Sequence, residues 1–317
     1  MEWLELIKAV FFGLVEGITE WLPISSTGHM IILEDFVHLA VSADFWSLFL
    51  VVIQLGAIIA VIVLYFRRLN PWSRFKEKPE RRDTWKLWAK IIVACIPAAA
   101  IGFLFDSWIE AHFFNSYVVT AALVAYGIAF ILVERWQSKR GEGHPIGKHS
   151  ALLGPPLGAG QEGAGALAGA AAGAGATPAP ATATTTNNAI SFVKALAIGC
   201  FQCLAVIPGT SRSGATILGA RIIGVAKREA AEFSFFLAIP VMFGASLLKV
   251  VQAFHGGLTP STTEWGVFFV GIIVAFVVSI FAIRFLMSFI QKHSFAAFGW
   301  YRIVLGIVVF VYFIFAR

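Results

Sequence analysis

Glu16 and Glu20 lie four residues apart in the run Gly13–His29, which reads Gly-Leu-Val-Glu-Gly-Ile-Thr-Glu-Trp-Leu-Pro-Ile-Ser-Ser-Thr-Gly-His in apolar surroundings. On a helix this spacing puts both carboxylates on one face. Gly13 and Gly17 fall on or beside that face, where a second helix can come close. Paired carboxylates so placed can hold a divalent cation through oxygen or share one proton. They can also form a structural pair neutralised by Arg212. A charged side chain at mid-bilayer costs about 2.5–3.5 kcal/mol on insertion scales, so such residues persist where something uses them.

Pro23 then stops the helix, and Ser25-Ser26-Thr27 reads as the N-terminal cap of the next one. A helix N-terminus offers free N–H groups and a positive dipole end, a natural seat for phosphate. Ser26 and His29 are three apart, so the imidazole can lie beside the hydroxyl as base beside nucleophile; a histidine after a glycine also suits a structural role. The second polar stretch, Pro208-Gly209-Thr210-Ser211-Arg212-Ser213-Gly214-Ala215-Thr216, opens a helix in the same way. Arg212 presents a planar fork of donors suited to phosphate oxygens. The expected catalytic residues are thus Glu16, Glu20, Ser26, His29 and Arg212. Ser25, Thr27, Ser211, Ser213 and Gly214 are the expected phosphate ligands. Two carboxylates beside a diphosphate repel it unless a metal lies between, so Glu16 and Glu20 are expected to hold Mg²⁺ or Ca²⁺.

The elements that must position these residues belong to a membrane. Of the 317 residues, 58% are hydrophobic and only 13% charged, with a mean hydropathy of +0.81; a soluble domain carries about 25% charged residues. The net charge of +6 lies in loops between apolar runs, which argues against a nucleic-acid partner. Glu2 and Glu5 stand where a signal peptide would be basic, so no cleavable leader is expected. Cys200-Phe201-Gln202-Cys203 has redox or zinc spacing, but lacks further ligands or a βαβ context and reads as helix packing. The histidines other than His29 fall in loops or near membrane boundaries without ligand spacing. Pro97 and Pro240 read as kinks inside spans, and Trp3, Trp85, Trp108 and Trp265 as interface anchors.

Six apolar runs are long enough to span, since about 20 residues cross the hydrocarbon core: 45–66, 86–106, 115–136, 229–252, 265–290 and 298–316. Two further apolar pairs, 3–22 with 25–39 and 190–207 with 212–225, are broken by the polar motifs. They read as re-entrant helix-loop-helix hairpins, whose irregular backbone survives at membrane depth only in protein or in a wet cavity. Basic residues crowd 67–90, 135–148, 221–228 and 292, whereas 107–114 and 253–264 hold no Lys or Arg. The basic side is cytoplasmic, and every basic loop falls there if the first hairpin enters from outside and the second from the cytoplasm. An inverted repeat follows. Gly13, Glu16, Thr27 and Gly28 match Gly199, Gln202, Ser213 and Gly214 at one constant offset. The expected fold is therefore all-α and polytopic, with six transmembrane helices and two re-entrant hairpins. Residues 1–137 form the first repeat (hairpin 3–39 plus three spans) and 190–317 the second (hairpin 190–225 plus three spans). Between them, 138–189 reads as a flexible cytoplasmic linker rich in Ala, Gly and Pro.

Across Gly13–His29, Val52-Ile53-Gln54-Leu55-Gly56, Gly199-Cys200-Phe201-Gln202-Cys203-Leu204, Pro208–Thr216 and Glu232-Phe233-Ser234-Phe235, the chain resembles the undecaprenyl-diphosphate phosphatase, or bacitracin-resistance protein, family. The resemblance covers the whole chain outside the linker, where Gly154–Asn188 departs from the compact family pattern. It implies removal of the terminal phosphate from a polyprenyl diphosphate lipid, leaving the monophosphate carrier of cell-wall synthesis. It also implies a metal-dependent enzyme of the bacterial inner membrane, often a homodimer, with its active site open to the periplasm. The family's functional positions fall on Glu16, Glu20, Ser26, His29 and Arg212. Ser26 attacking phosphorus with His29 as base is the expected mechanism, with water or His29 as alternative nucleophiles. A lipid or ion carrier is the leading rival, because inverted repeats with broken helices are also a transporter design. A type-2 phosphatidic-acid phosphatase is disfavoured, because its Lys-x₆-Arg-Pro block is absent.

Overall fold

A computed structural model describes residues 2–113, 115–140 and 190–316, and among them every regular element is helical. The first half runs α1 (Glu2–Thr19), α2 (Ser26–Phe36), α3 (Ala43–Leu64), the one-turn α4 (Phe66–Leu69), α5 (Lys78–Phe113) and α6 (Ser116–Lys139). The second half runs α7 (Phe192–Gln202) with a 3₁₀ turn (Cys203–Val206), α8 (Arg212–Ile222), α9 (Lys227–His255), α10 (Thr262–Lys292) and α11 (Ala296–Ala316). Six of these, α3, α5, α6, α9, α10 and α11, are long and apolar enough to cross a membrane, and they coincide with the six expected spans. Their outer faces carry Phe103, Phe281 and Phe315 at 90%, 65% and 84% exposure. Apolar surface on this scale suits lipid rather than water. Residues 141–189, nearly all of the expected linker, lie outside the described residues.

The two interrupted pairs are helix-loop-helix hairpins, α1–α2 and α7–α8. α1 ends at Thr19, four residues before Pro23. A proline in a helix withholds the N–H that the carbonyl four residues back requires, and its ring strikes that carbonyl. Glu20 still donates its N–H to the Glu16 carbonyl at 3.0 Å before the chain turns away. In the second hairpin the 3₁₀ turn after Gln202 tightens the helix before Pro208. By contrast, α5 and α9 run on through Pro97 and Pro240.

Packing pairs the two halves in corresponding ways. α1 lies along α10, and α7 lies along α5; α3 packs on α9, and α6 on α11. Glycine permits two of these approaches. A Cβ on Gly13 would stand 2.8 Å from the Gly271 carbonyl oxygen, and one on Gly199 would stand 2.3 Å from that of Ala94. Small residues of this kind let helix backbones meet where no aqueous hydrophobic drive exists. The main core gathers Trp21, Phe130, Phe235, Phe236 and Phe295, and a second centres on Phe12, Phe45, Phe49 and Phe268. Two buried ion-pair clusters brace helix ends: Glu134 with Arg221 and Lys227, and Glu232 with Arg68 and Arg228.

Candidate active site

Both tips use the same backbone device. Ser25 stands at φ 77, and its hydroxyl accepts from the Gly28 N–H at 3.3 Å; Ser211 stands at φ 71 and accepts from the Gly214 N–H at 3.2 Å. A left-handed conformation is costly for a serine, and such positions persist only where their surroundings impose them. Each cap leaves the remaining first-turn N–H groups of α2 and α8 facing the tip.

Glu20 joins the two tips. Its Oε1 accepts from Arg212 Nη2 at 3.0 Å, and its Oε2 accepts from Ser26 Oγ at 2.9 Å. Arg212 also donates from Nη1 to the Ser234 carbonyl at 2.8 Å, and its guanidinium carbon lies 5.7 Å from the Trp21 ring centroid. Ser213 is fully buried and donates to the backbone carbonyl of Glu20 at 3.0 Å, with Leu22 O at 3.4 Å. Its hydroxyl therefore staples one hairpin to the other, a role different from the phosphate ligand expected of it. Thr27 is exposed, while Ser25 is fully buried with its hydroxyl engaged in the cap.

The structure does not bring His29 and Ser26 together as hydrogen-bond partners. The His29 Nδ1 lies 2.7 Å from the Ser25 carbonyl and its Nε2 lies 2.7 Å from the Tyr301 hydroxyl, so neither nitrogen meets Ser26. A carbonyl only accepts, so Nδ1 carries the proton, and Nε2 shares a hydrogen bond with the phenol. The two rings stack at 5.7 Å with 10° between their planes. The histidine braces the strained Ser25 peptide, and the group placed to receive the Ser26 proton is Glu20.

Glu16 is 2% exposed, and its Oε1 has no hydrogen-bond partner. A buried unpaired carboxylate oxygen calls for an explanation. It sits four residues from Glu20, and a hard oxygen pair of this kind suits Mg²⁺ or Ca²⁺. Among the described residues no cluster of three or more His, Cys, Asp or Glu side chains forms a self-sufficient metal site. The donor set thus fits an ion that takes its other ligands from phosphate and water, the usual habit of Mg²⁺.

The family described as Bacitracin resistance protein BacA matches residues 9–308. This chain belongs to that family. A protein named Undecaprenyl-diphosphatase from Enterococcus faecalis is 46% identical over 312 residues, covering 98% of each chain. One of the same name from Limosilactobacillus fermentum is 46% identical over 310 residues, again with 98% of each covered. Undecaprenyl-diphosphatase 1 from Clostridium acetobutylicum is 47% identical over 315 residues, with 99% of each covered.

Several residues of the site in this family member were not legible in the motifs. Tyr301 and Arg302 come from α11, far along the chain. Arg302 donates to the carbonyls of Pro23, Gly209 and Thr210 at 3.3, 2.8 and 2.9 Å. Its one sequence signal is an arginine near the start of an apolar span. Ser234 lies in the stretch Glu232-Phe233-Ser234-Phe235, and its hydroxyl meets Thr216 Oγ1 at 2.6 Å.

Proposed function

We propose that this chain is an integral membrane phosphatase that hydrolyses undecaprenyl diphosphate to undecaprenyl phosphate and inorganic phosphate, recycling the lipid carrier for cell-wall synthesis. One observation carries the reading from geometry to chemistry: a single carboxylate, Glu20, holds both a serine hydroxyl and an arginine from the opposite hairpin. Full-length relatives named for this activity support the substrate.

In this mechanism Arg212 and the N-terminal turns of α2 and α8 grip the diphosphate. On binding, Arg212 shares its fork between Glu20 and phosphate oxygens. Ser26 Oγ attacks the terminal phosphorus and its proton passes to Glu20. The Oγ–P bond forms as the bond to the bridging oxygen breaks, and undecaprenyl phosphate leaves. Water then attacks the phosphorus of the phosphoserine, the Oγ–P bond breaks, Glu20 returns its proton to Oγ, and inorganic phosphate leaves. Phosphoryl transfer asks mostly for positioning and charge neutralisation, which these groups supply. Glu16 and Glu20 would hold the divalent cation, which when bound offsets phosphate charge beside the carboxylates. Tyr301 and Ser25 keep the His29 ring fixed, so the Ser25-Ser26 peptide holds its orientation.

The two hairpins are re-entrant and related as halves of an inverted repeat, residues 1–137 and 190–317, with 138–189 between them on the cytoplasmic side. The supports are the charge asymmetry of the loops, the paired capping serines and the corresponding helix pairings. The protein lies in the bacterial inner membrane with the site open to the periplasm.

The test is phosphate release from undecaprenyl diphosphate by the purified protein in detergent, with Mg²⁺ and with EDTA, beside Glu20→Ala and Arg212→Ala. Metal-dependent release that both variants abolish is the expected result. Folded protein that releases none, but moves lipid across liposomes, overturns the phosphatase and leaves a carrier.

A further inference from the structure

Arg302 is 0% exposed, yet it forms no ion pair with any carboxylate among the described residues. The contrast with its neighbours is sharp: Arg212 pairs with Glu20 and Arg221 with Glu134. Arg302 has instead three backbone carbonyls, from Pro23 in one hairpin tip and from Gly209 and Thr210 in the other. Its Nε has no partner, and the Tyr126 ring centroid lies 5.4 Å from its guanidinium carbon. Taking an ion from water into a protein interior costs several kcal/mol unless other charges compensate. Carbonyl dipoles offset part of that cost and leave the unit charge standing.

A Cβ on Gly214 would come within 2.9 Å of Arg302 Nη1, so the guanidinium lies against the first turn of α8. The carbonyls it holds also orient the tip. In a planar trans peptide the N–H points opposite to the C=O. With the Thr210 carbonyl turned to Arg302, the Ser211 N–H is turned away from it.

We propose that Arg302 is the second cation of the diphosphate site, held beneath the two tips, and that the bound substrate is its counter-ion. It acts through the electric field and through the backbone it orients, so it is a positioning residue and not a catalytic one. The inference rests on the phosphatase reading and deepens it. Arg212 grips the substrate directly, while Arg302 offsets its charge from behind and keeps the tips in register.

The experiment uses methylenediphosphonate, whose P–C–P bridge resists hydrolysis, as probe of the anion site. Its inhibition constant against lipid hydrolysis, and the rise it causes in the thermal midpoint of the purified protein, are read for wild type, Arg302→Lys, Arg302→Gln and Arg302→Met. The lysine variant keeps the charge and is expected to bind the probe within about threefold of wild type, while Gln and Met weaken it about tenfold or more. The lipid KM should rise in step, with kcat changed less. A folded Arg302→Gln with unchanged probe affinity overturns the proposal and leaves Arg302 a brace only. If neither neutral variant folds, Arg302→Lys decides: near-wild-type affinity supports the role of charge, and a tenfold loss despite retained charge refutes it. Wild type that binds the probe in an Arg302-dependent way yet releases no phosphate from lipid sinks the phosphatase and leaves the anion site.

Discussion

In the first hairpin a serine at φ 77 caps α2, and the next residue is Ser26; in the second, a serine at φ 71 caps α8, and the next residue is Arg212. Counting along from the capping serines, Glu16 corresponds to Gln202 and His29 to Ala215. The backbone device is common to both tips and the side chains are not. One tip carries Ser26 beside the carboxylates of Glu16 and Glu20, the other carries Arg212. Two tips with identical side chains would confront a diphosphate with four carboxylates or with none. The difference in side chains puts opposite charges on the two tips, and Glu20 closes the gap between them by pairing with Arg212.

The largest expected effect breaks the first tip. Ser26→Ala should cut phosphate release by about a thousandfold or more while lipid binding survives, as removal of a covalent nucleophile does. Single-turnover release and a lipid-binding assay on the same preparation check this, and substantial residual turnover would sink serine attack. Arg212→Lys is expected next, at about a hundredfold. A lysine ammonium cannot span Glu20 and the Ser234 carbonyl as the planar fork does, so retained charge should not rescue. Activity near wild type would reduce the second tip to a point charge. Tyr301→Phe should lower kcat about tenfold by freeing one side of His29, with little change in KM. An unaltered kcat would make the stack on His29 sufficient by itself.

The smallest effect tests the correspondence between Glu16 and Gln202. Both amide atoms of Gln202 are buried without partners. Replacing an unsatisfied polar group with an apolar one of like size is neutral or stabilising, by up to about 1–3 kcal/mol. Gln202→Met should therefore hold or raise the thermal midpoint and leave turnover intact. Loss of activity in that variant would show that the second half also supplies a polar ligand, and the contrast between the tips would narrow.

Much of this was legible from residues alone. Long apolar runs must be helices in a membrane, because no water is present to satisfy an open backbone. Pro23 and Pro208 mark the breaks, and Ser25 and Ser211 mark the restarts, because local backbone chemistry decides both. The Glu16–Glu20 pair and Arg212 stood out because ionisable groups are costly at that depth. The partners of His29 were not legible, because spacing on a helix says which side chains share a face and not which atoms bond. Ser25 O and Tyr301 OH compete for the imidazole and win, and neither partner is visible in a three-residue interval.

The sequence by itself determined that this chain crosses a membrane as helices, breaks twice at polar tips and carries acid, hydroxyl and guanidinium groups there. These are properties of hydropathy, local propensity and spacing, which act within a few residues. Only the tertiary structure decided that Glu20 faces Ser26 and Arg212 together, that Ser213 staples the tips and that Tyr301 and Arg302 arrive from α11 to hold them. Such contacts join residues up to 279 positions apart, and which of them form depends on how closely the helices can approach. That is set by the packing of whole faces, down to the bare backbone at Gly13 and Gly199.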